Sequence, residues 1–539
     1  MRRSAIIACS VALSAALASC SSPSPRGERD RAGAQEKPGF LTVADDSLTG
    51  RGTLTVQLDY DSVEADGVNP QTASSARSWM LGSLVYEPLV TIGPGFEIKP
   101  LLARSWEQPT PTTYVLTLRE GATFSNGRPV TGEDAAGSLR RLLDSKGPYV
   151  GQLGPVKSVT ATAADEVTVE LSKPYTPFLA ALANTPAAVL PMKEIKDGTL
   201  DLTKEMLGSG PFTVKEHRQD RGWVFEKNAK YHDADRVDVQ ELRIDIVPQE
   251  AARLAAVRNG TSGFAFFNNV DSVDQLSGTR NAKVVNQNNS DFYYLIQNSQ
   301  NPKSPLADQK IRFALNSALD RQRIADVALG GQAKPTGVTP VVLPGACDPE
   351  DLPGARAAAD AKAALKAAGA DDLTLRLAVY TSEPALGQIA QVIQQQYAAA
   401  GVTVKIEKLD DSTYGERIFA PKADFDLAIG WFAGYVDASM VSRWWNPVVA
   451  GFSAGFIGDD KQLDKLIDTA SAQPAGDARE KTLREVCDRV DTNAEMLPLV
   501  TRPGAIGLRT DKVSPTLYAN EGFGNILRNI TDFTLPAAK

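Results

Sequence analysis

Between residues 373 and 431 the hydrophobic period of the chain switches from two to about 3.6 and back, which restricts the fold more than any other feature. Leu373, Leu375, Leu377 and Val379 alternate with Thr374, Arg376 and Ala378, the pattern of a strand. Ile389, Val392, Ile393 and Tyr397 then recur at three- and four-residue steps, the stripe of an amphipathic helix that Gly401 ends. Val402, Val404 and Ile406 return to period two, and residues 425–431 supply a third strand. Strand, helix and strand at this spacing require a crossover, so this half is predicted to be a parallel, right-handed α/β lobe.

The N-terminal half mixes elements without that regularity. Leu54, Val56 and Leu58 predict a strand over 53–58, and residues 114–119 another; Val167, Val169 and Leu171 give a third. Asn69-Pro70 and Asn126-Gly127 are turns, and the apolar stretch 79–90 opens a new unit. Thr131 with Asp134 forms a capping box for a helix through Leu143. The expectation here is an α+β region. Before the α/β lobe, Ile311, Ala314, Leu315 and Ala318 share a helical face, Asp320 caps a following helix, and an Ala-rich helix over 360–368 stops at Gly369. An α+β region beside an α/β lobe predicts two lobes with a cleft between them, where small ligands usually sit.

The N-terminus reads as a leader. Arg2 and Arg3 precede an apolar run over 5–18 that is too short to span a bilayer, and the run ends in Leu17-Ala18-Ser19-Cys20. That ending resembles a bacterial lipobox, so residues 1–19 are expected to be a signal peptide and Cys20 the lipidated first residue. The stretch after it is Ser-, Pro- and Gly-rich, and residues 20–44 are expected to be a flexible tether. The formal net charge is −8, and removing Arg2 and Arg3 makes it −10, which argues against nucleic acid or an anionic membrane surface as partner. Of the 4 cysteines, Cys9 leaves with the leader and Cys20 carries lipid, which leaves Cys347 and Cys487 as disulfide candidates or buried thiols.

Several blocks, in order, resemble the extracytoplasmic solute-binding proteins of ABC importers, family 5, the dipeptide/oligopeptide/nickel type. They are Tyr86-Glu87-Pro88-Leu89-Val90, Pro100-Leu101-Leu102-Ala103-Arg104-Ser105-Trp106, Leu116 to Phe124, Gly208-Ser209-Gly210-Pro211-Phe212 and Ile311-Arg312-Phe313-Ala314-Leu315-Asn316. The resemblance implies a two-lobed α/β fold of the periplasmic-binding-protein type, with mixed α+β and α/β lobes and an extra inserted domain. Domain I would comprise 45–80, 206–290 and 503–539, domain II would be an insertion at 81–205, and domain III the α/β lobe at 291–502. Ser290 and Arg502 would then be hinge candidates. It also implies a monomer that delivers an oligopeptide or peptide-like solute to a permease with a separate ATPase, held by its lipid outside the cytoplasmic membrane, with no enzymatic activity.

In peptide-binding members of this family, the third parallel strand leads into a segment whose first aspartate pairs with the peptide's free amine. Here that segment reads Trp431-Phe432-Ala433-Gly434-Tyr435-Val436-Asp437, with Gly434 at the amine-binding position. Either Asp437 takes over that role, or the solute is a blocked peptide or another compound such as an oligosaccharide or an opine-like molecule. The candidate ligand residues are Trp431, Phe432, Ala433, Gly434, Tyr435, Asp437, Arg443 and Trp444. The loop at Ala73, Ser74 and Ser75 faces them, and Phe292, Tyr293 and Tyr294 at the domain crossing either line the cleft or pack there. No cofactor is expected. Nickel sites favour imidazole, and the chain has only His217 and His232. Gly451, Ser453 and Gly455 fit a Gly-x-Ser-x-Gly pattern, yet that hydrolase motif needs a downstream histidine and both histidines precede it, so a chance match is expected.

Overall fold

The computed structural model describes residues 37–63, 67–145, 147–267, 275–370, 372–432, 434–522 and 524–537. The leader, Cys20 and Ala433 lie outside the described residues. From Pro38 onward the chain forms one compact unit built around three larger sheets.

The strand Gly52–Leu58 buries Leu54, Val56 and Leu58 on one face, as its alternation predicts. It pairs in parallel with Val239–Ile246 on one side and Phe264–Phe267 on the other. Parallel neighbours so distant in sequence oblige the chain to leave the sheet and return. The excursion contains a four-stranded antiparallel sheet, Ala103–Thr110, Thr113–Leu118, Glu166–Leu171 and Val156–Ala163, with the helix Gly132–Asp144 packed on it. That helix starts with the expected capping box between Thr131 and Asp134, and Arg128 reinforces it through Asp134 at 2.8 Å. The apolar stretch 79–90 becomes the helix Ala76–Gly82, capped by Ser75, followed by a loop and a short strand.

The eight-stranded mixed sheet is completed by Phe212–Arg218, Gly222–Lys227, Ala282–Asn289, Gly504–Arg509 and Asn520–Glu521. The third sheet has five strands, in the order Thr403–Leu409, Thr374–Tyr380, Leu427–Phe432, Phe292–Gln297 and Met496–Thr501. Its first three strands are parallel and its last two pair antiparallel, so the α/β character read from 373–431 is observed, with an antiparallel extension. The helix Pro384–Ala399 buries Ile389, Val392, Ile393 and Tyr397 against it.

Two chain passages join the eight- and five-stranded sheets. Strand Ala282–Asn289 continues through Ser290 and Asp291 into Phe292–Gln297, and Met496–Thr501 continues through Arg502 and Pro503 into Gly504–Arg509. The two passages are bonded to each other, Arg502 N–H donating to the Asp291 carbonyl at 2.8 Å.

A strand at Phe40–Thr42 lies inside the stretch expected to be tether. It pairs with Leu517–Tyr518, and the rings of Phe40 and Tyr518 meet edge-on at 5.3 Å. Phe40 gives this segment an apolar side chain that the preceding Ser- and Pro-rich residues lack. Cys347 and Cys487 are joined in a disulfide, with their Cα atoms 6.1 Å apart. A loop of this length, closed in the unfolded chain, stabilises the fold by roughly 3–5 kcal/mol in the chain-entropy account.

Candidate functional site: an aromatic cleft between two sheets

A cleft of about 900 Å³ opens between the eight- and five-stranded sheets. On the five-stranded side its wall is aromatic: Tyr294, Tyr380, Tyr414, Phe419, Trp431 and Phe432. The wall is built from strand register. Tyr294 stands opposite Gly430, whose missing side chain leaves the space that the Tyr294 ring fills, and Tyr294 stacks on Phe432 with centroids 4.4 Å apart. Tyr414 packs edge-on to Tyr380 at 4.9 Å, and its hydroxyl donates to the Ile429 carbonyl at 2.9 Å. The facing wall is polar, with Asp59, Tyr60, Ser74, Ser75, Glu250 and Arg253.

Two buried ion pairs flank the cleft. Asp59 accepts from Arg77 at 2.6 Å, and Glu383 accepts from Arg502 at 2.9 Å, all four side chains being less than a tenth exposed. Glu383 also accepts from the Tyr293 hydroxyl at 3.0 Å, and the Arg502 guanidinium lies 4.1 Å from the centre of the Trp431 ring. Burial opposes the charge on Arg502, yet Glu383, Tyr293 and Asp291 outweigh it and hold the guanidinium well above its ordinary pKa. Asp291 is 4.0 Å from Arg502 on its other side. There burial prevails over Arg502 and the Gly434 N–H, and the Asp291 pKa is pushed up to about 6.

That shift has a sign. An acid whose pKa is raised on folding holds its proton better in the folded chain, so stability falls as the pH rises through the interval from about 4 to about 6. Asp291→Asn keeps an acceptor for Gly434 and removes the titration. The unfolding free energy of the variant relative to the parent is expected to improve by about 2–3 kcal/mol between pH 4 and pH 7. Urea unfolding at the two pH values measures this, and a pH-independent difference would contradict it.

The candidate residues divide into those on the cleft and those behind it. Trp431, Phe432, Ser74 and Ser75 line it. Ala73 is buried, its carbonyl accepting from the Trp79 indole at 2.9 Å. Tyr293 points to the face opposite Tyr294 and reaches the cleft only through Glu383. Trp444 packs behind Phe432 with centroids 4.5 Å apart. Tyr435 meets Tyr149 at 6.2 Å, and the Arg443 guanidinium lies 5.5 Å from the Tyr175 ring centre. Tyr435 and Arg443 therefore pack against residues of the excursion, and Trp444 packs among Phe292, Phe432 and Tyr435.

Asp437 is occupied as well. Its Oδ1 caps the helix Ala438–Ser442 through the Ser439 N–H at 2.8 Å and accepts from Arg479 at 2.6 Å. Gly434 lies against the first passage between sheets: its N–H donates to Asp291 at 3.0 Å, and a Cβ there would stand 2.0 Å from the Ser290 carbonyl oxygen. No side chain fits at this position. Sequence reasoning missed Tyr60, Tyr380, Tyr414, Glu383 and the Asp59–Arg77 pair. Of Phe292, Tyr293 and Tyr294, each expected to line the cleft or to pack at the crossing, Tyr294 lines it, since adjacent strand residues face opposite ways.

The two histidines serve elsewhere. His217 stacks on Trp223 at 3.5 Å and meets Asp61 at 3.2 Å, and His232 contacts Glu87 at 2.9 Å. Ser453 is fully buried in a single helical turn, with neither histidine beside it.

Comparison with known proteins decides the family. The profile of the bacterial extracellular solute-binding proteins, family 5, middle region, matches residues 97–450. The chain belongs to this family. Among the relatives of this family 5 protein is the probable D,D-dipeptide-binding periplasmic protein DdpA of Escherichia coli (strain K12). The two are 28% identical over 390 residues, covering 69% of this chain and 73% of DdpA. The nickel-binding periplasmic protein of the same organism is 25% identical over 452 residues, covering 77% of this chain and 83% of its own. Among solved structures, the periplasmic binding protein DppA of Helicobacter pylori in complex with the peptide STSA superposes with a TM-score of 0.78. It is 21% identical, and the match covers 90% of this chain and 99% of that one. Such a match establishes the two-lobed fold.

Proposed function

We propose that this family 5 protein captures an oligopeptide or peptide-like solute in the cleft and delivers it to an ABC permease whose ATPase is a separate chain. The observation that carries this reading is the cleft itself, a space of about 900 Å³ with an aromatic wall facing a polar one and two chain passages beside it. A volume of this size accommodates a small peptide, the aromatic wall suits apolar side chains, and passages of two residues each suit a hinge. Ser290 and Arg502 are the hinge positions in this account. Domain I is 45–80, 206–290 and 503–539, domain II is 81–205, and domain III is 291–502. The protein works as a monomer, anchored outside the cytoplasmic membrane by lipid on Cys20. It performs no catalysis, a reading supported by the burial of Ser453 and its distance in the chain from either histidine.

A non-peptide solute, such as an oligosaccharide or an opine-like compound, is favoured by one observation: Gly434 and Asp437 are both committed to internal contacts. The two readings separate by calorimetry with a panel of tripeptides and their N-acetylated forms. In the peptide reading at least one tripeptide binds, acetylation changes its affinity less than about threefold, and Asp437→Asn leaves that ratio unchanged. A free-amine preference above about tenfold that Asp437→Asn abolishes would contradict the assignment of Asp437, and failure of every tripeptide would sink the peptide reading.

A further inference from the structure

A second cavity, of about 440 Å³, lies between the helix Ala76–Gly82, the loop after it and the C-terminal segment around Ile530. Each lysine and arginine of its lining has an acidic partner, Glu97 and Glu521 lying outside the lining itself. Arg236 pairs with Asp532, Arg119 with Asp233 at 3.7 Å, Lys99 with Glu97 at 3.1 Å, and Arg528 with Glu521 at 2.6 Å. Among the acids of the lining, Glu87 is the exception. It is 3% exposed, and among the described residues no lysine or arginine forms an ion pair with it.

The network around Glu87 fixes which atom is left over. Arg119 reaches both ring nitrogens of His232, and the Asp233 carboxylate lies 3.5 Å from Nδ1. Nε2 of His232 meets Glu87 Oε1 at 2.9 Å. Glu87 Oε2 is buried and has no hydrogen-bond donor among the described residues. A buried carboxylate with neither a cation nor a full set of donors is among the costliest groups a fold can carry, and it calls for an occupant. The cavity wall also includes Tyr231, whose ring suits an alkyl chain or the face of a cation.

We propose that this cavity is a second ligand site, separate from the cleft, which takes a small amine by placing its ammonium group on Glu87 Oε2. The volume falls in the ordinary range for small-molecule sites.

Saturation-transfer NMR with butylammonium and with butyrate tests this, on the parent, on Glu87→Gln and on Trp431→Ala in the cleft. The expected result is transfer to butylammonium and not to butyrate, weakened at least about tenfold by Glu87→Gln and unchanged by Trp431→Ala. Absence of transfer in the parent, equal transfer to butyrate, insensitivity to Glu87→Gln, or loss in Trp431→Ala would each overturn the proposal. Should Glu87→Gln fail to melt cooperatively, parent crystals soaked in butylammonium chloride decide instead. Density for the amine at Glu87 supports the site, and a water alone at that position overturns it.

Discussion

Gly434→Asp is expected to lose stability without gaining a solute anchor. Restoring the acid found at this position in peptide-binding members would, on sequence grounds alone, recreate an amine site. The structure gives the opposite result. A Cβ at 434 meets the Ser290 carbonyl oxygen at 2.0 Å and Ser290 Oγ at 2.5 Å, and a carboxylate would add a second negative charge beside Asp291. Overpacking against backbone, together with an unpaired buried charge, is expected to cost about 3 kcal/mol or more. Chemical denaturation and calorimetry with a free-amine tripeptide check both halves. An aspartate variant as stable as the parent, with newly amine-dependent binding, would contradict this account of Gly434.

The second large effect belongs to Arg502. Replacing it by methionine keeps most of the packing over Trp431 but leaves Glu383 and Asp291 buried without their cation. Breaking a buried pair from one side typically costs 3–5 kcal/mol, because the remaining charge is stranded, so Arg502→Met is expected to lose about that much. Glu383→Gln in the Arg502→Met background removes one stranded charge and is expected to recover a good part of the loss. If urea unfolding shows no such recovery, Arg502 acts through something other than its carboxylate partners.

What the sequence carried well was local. The capping box at Thr131 and Asp134, the Asp320 cap, the stops at Gly369 and Gly401, and the three strands of the α/β lobe all depend on residues within a turn or a few positions of one another, and all appear. What it carried poorly depends on distant partners. Asp437 resembled a ligand carboxylate until Arg479, 42 residues on, was seen to hold it. Tyr435, Arg443 and Trp444 sit in the right segment but turn toward Tyr149, Tyr175 and the back of Phe432. Glu383 and Arg502 are 119 residues apart, and nothing local in either announces the pair. The choice between Tyr293 and Tyr294 was a question of which strand face meets the cleft, and the pairing of Tyr294 with Gly430 decides it.

Native mass spectrometry of the protein purified from the cells that make it tests the central claim most directly, because a closed cleft retains its solute through purification. The account predicts a species heavier than the bare chain by one small solute, released on denaturation and absent in Trp431→Ala. Only the bare chain, from cells grown in rich medium and for parent and variant alike, would contradict it.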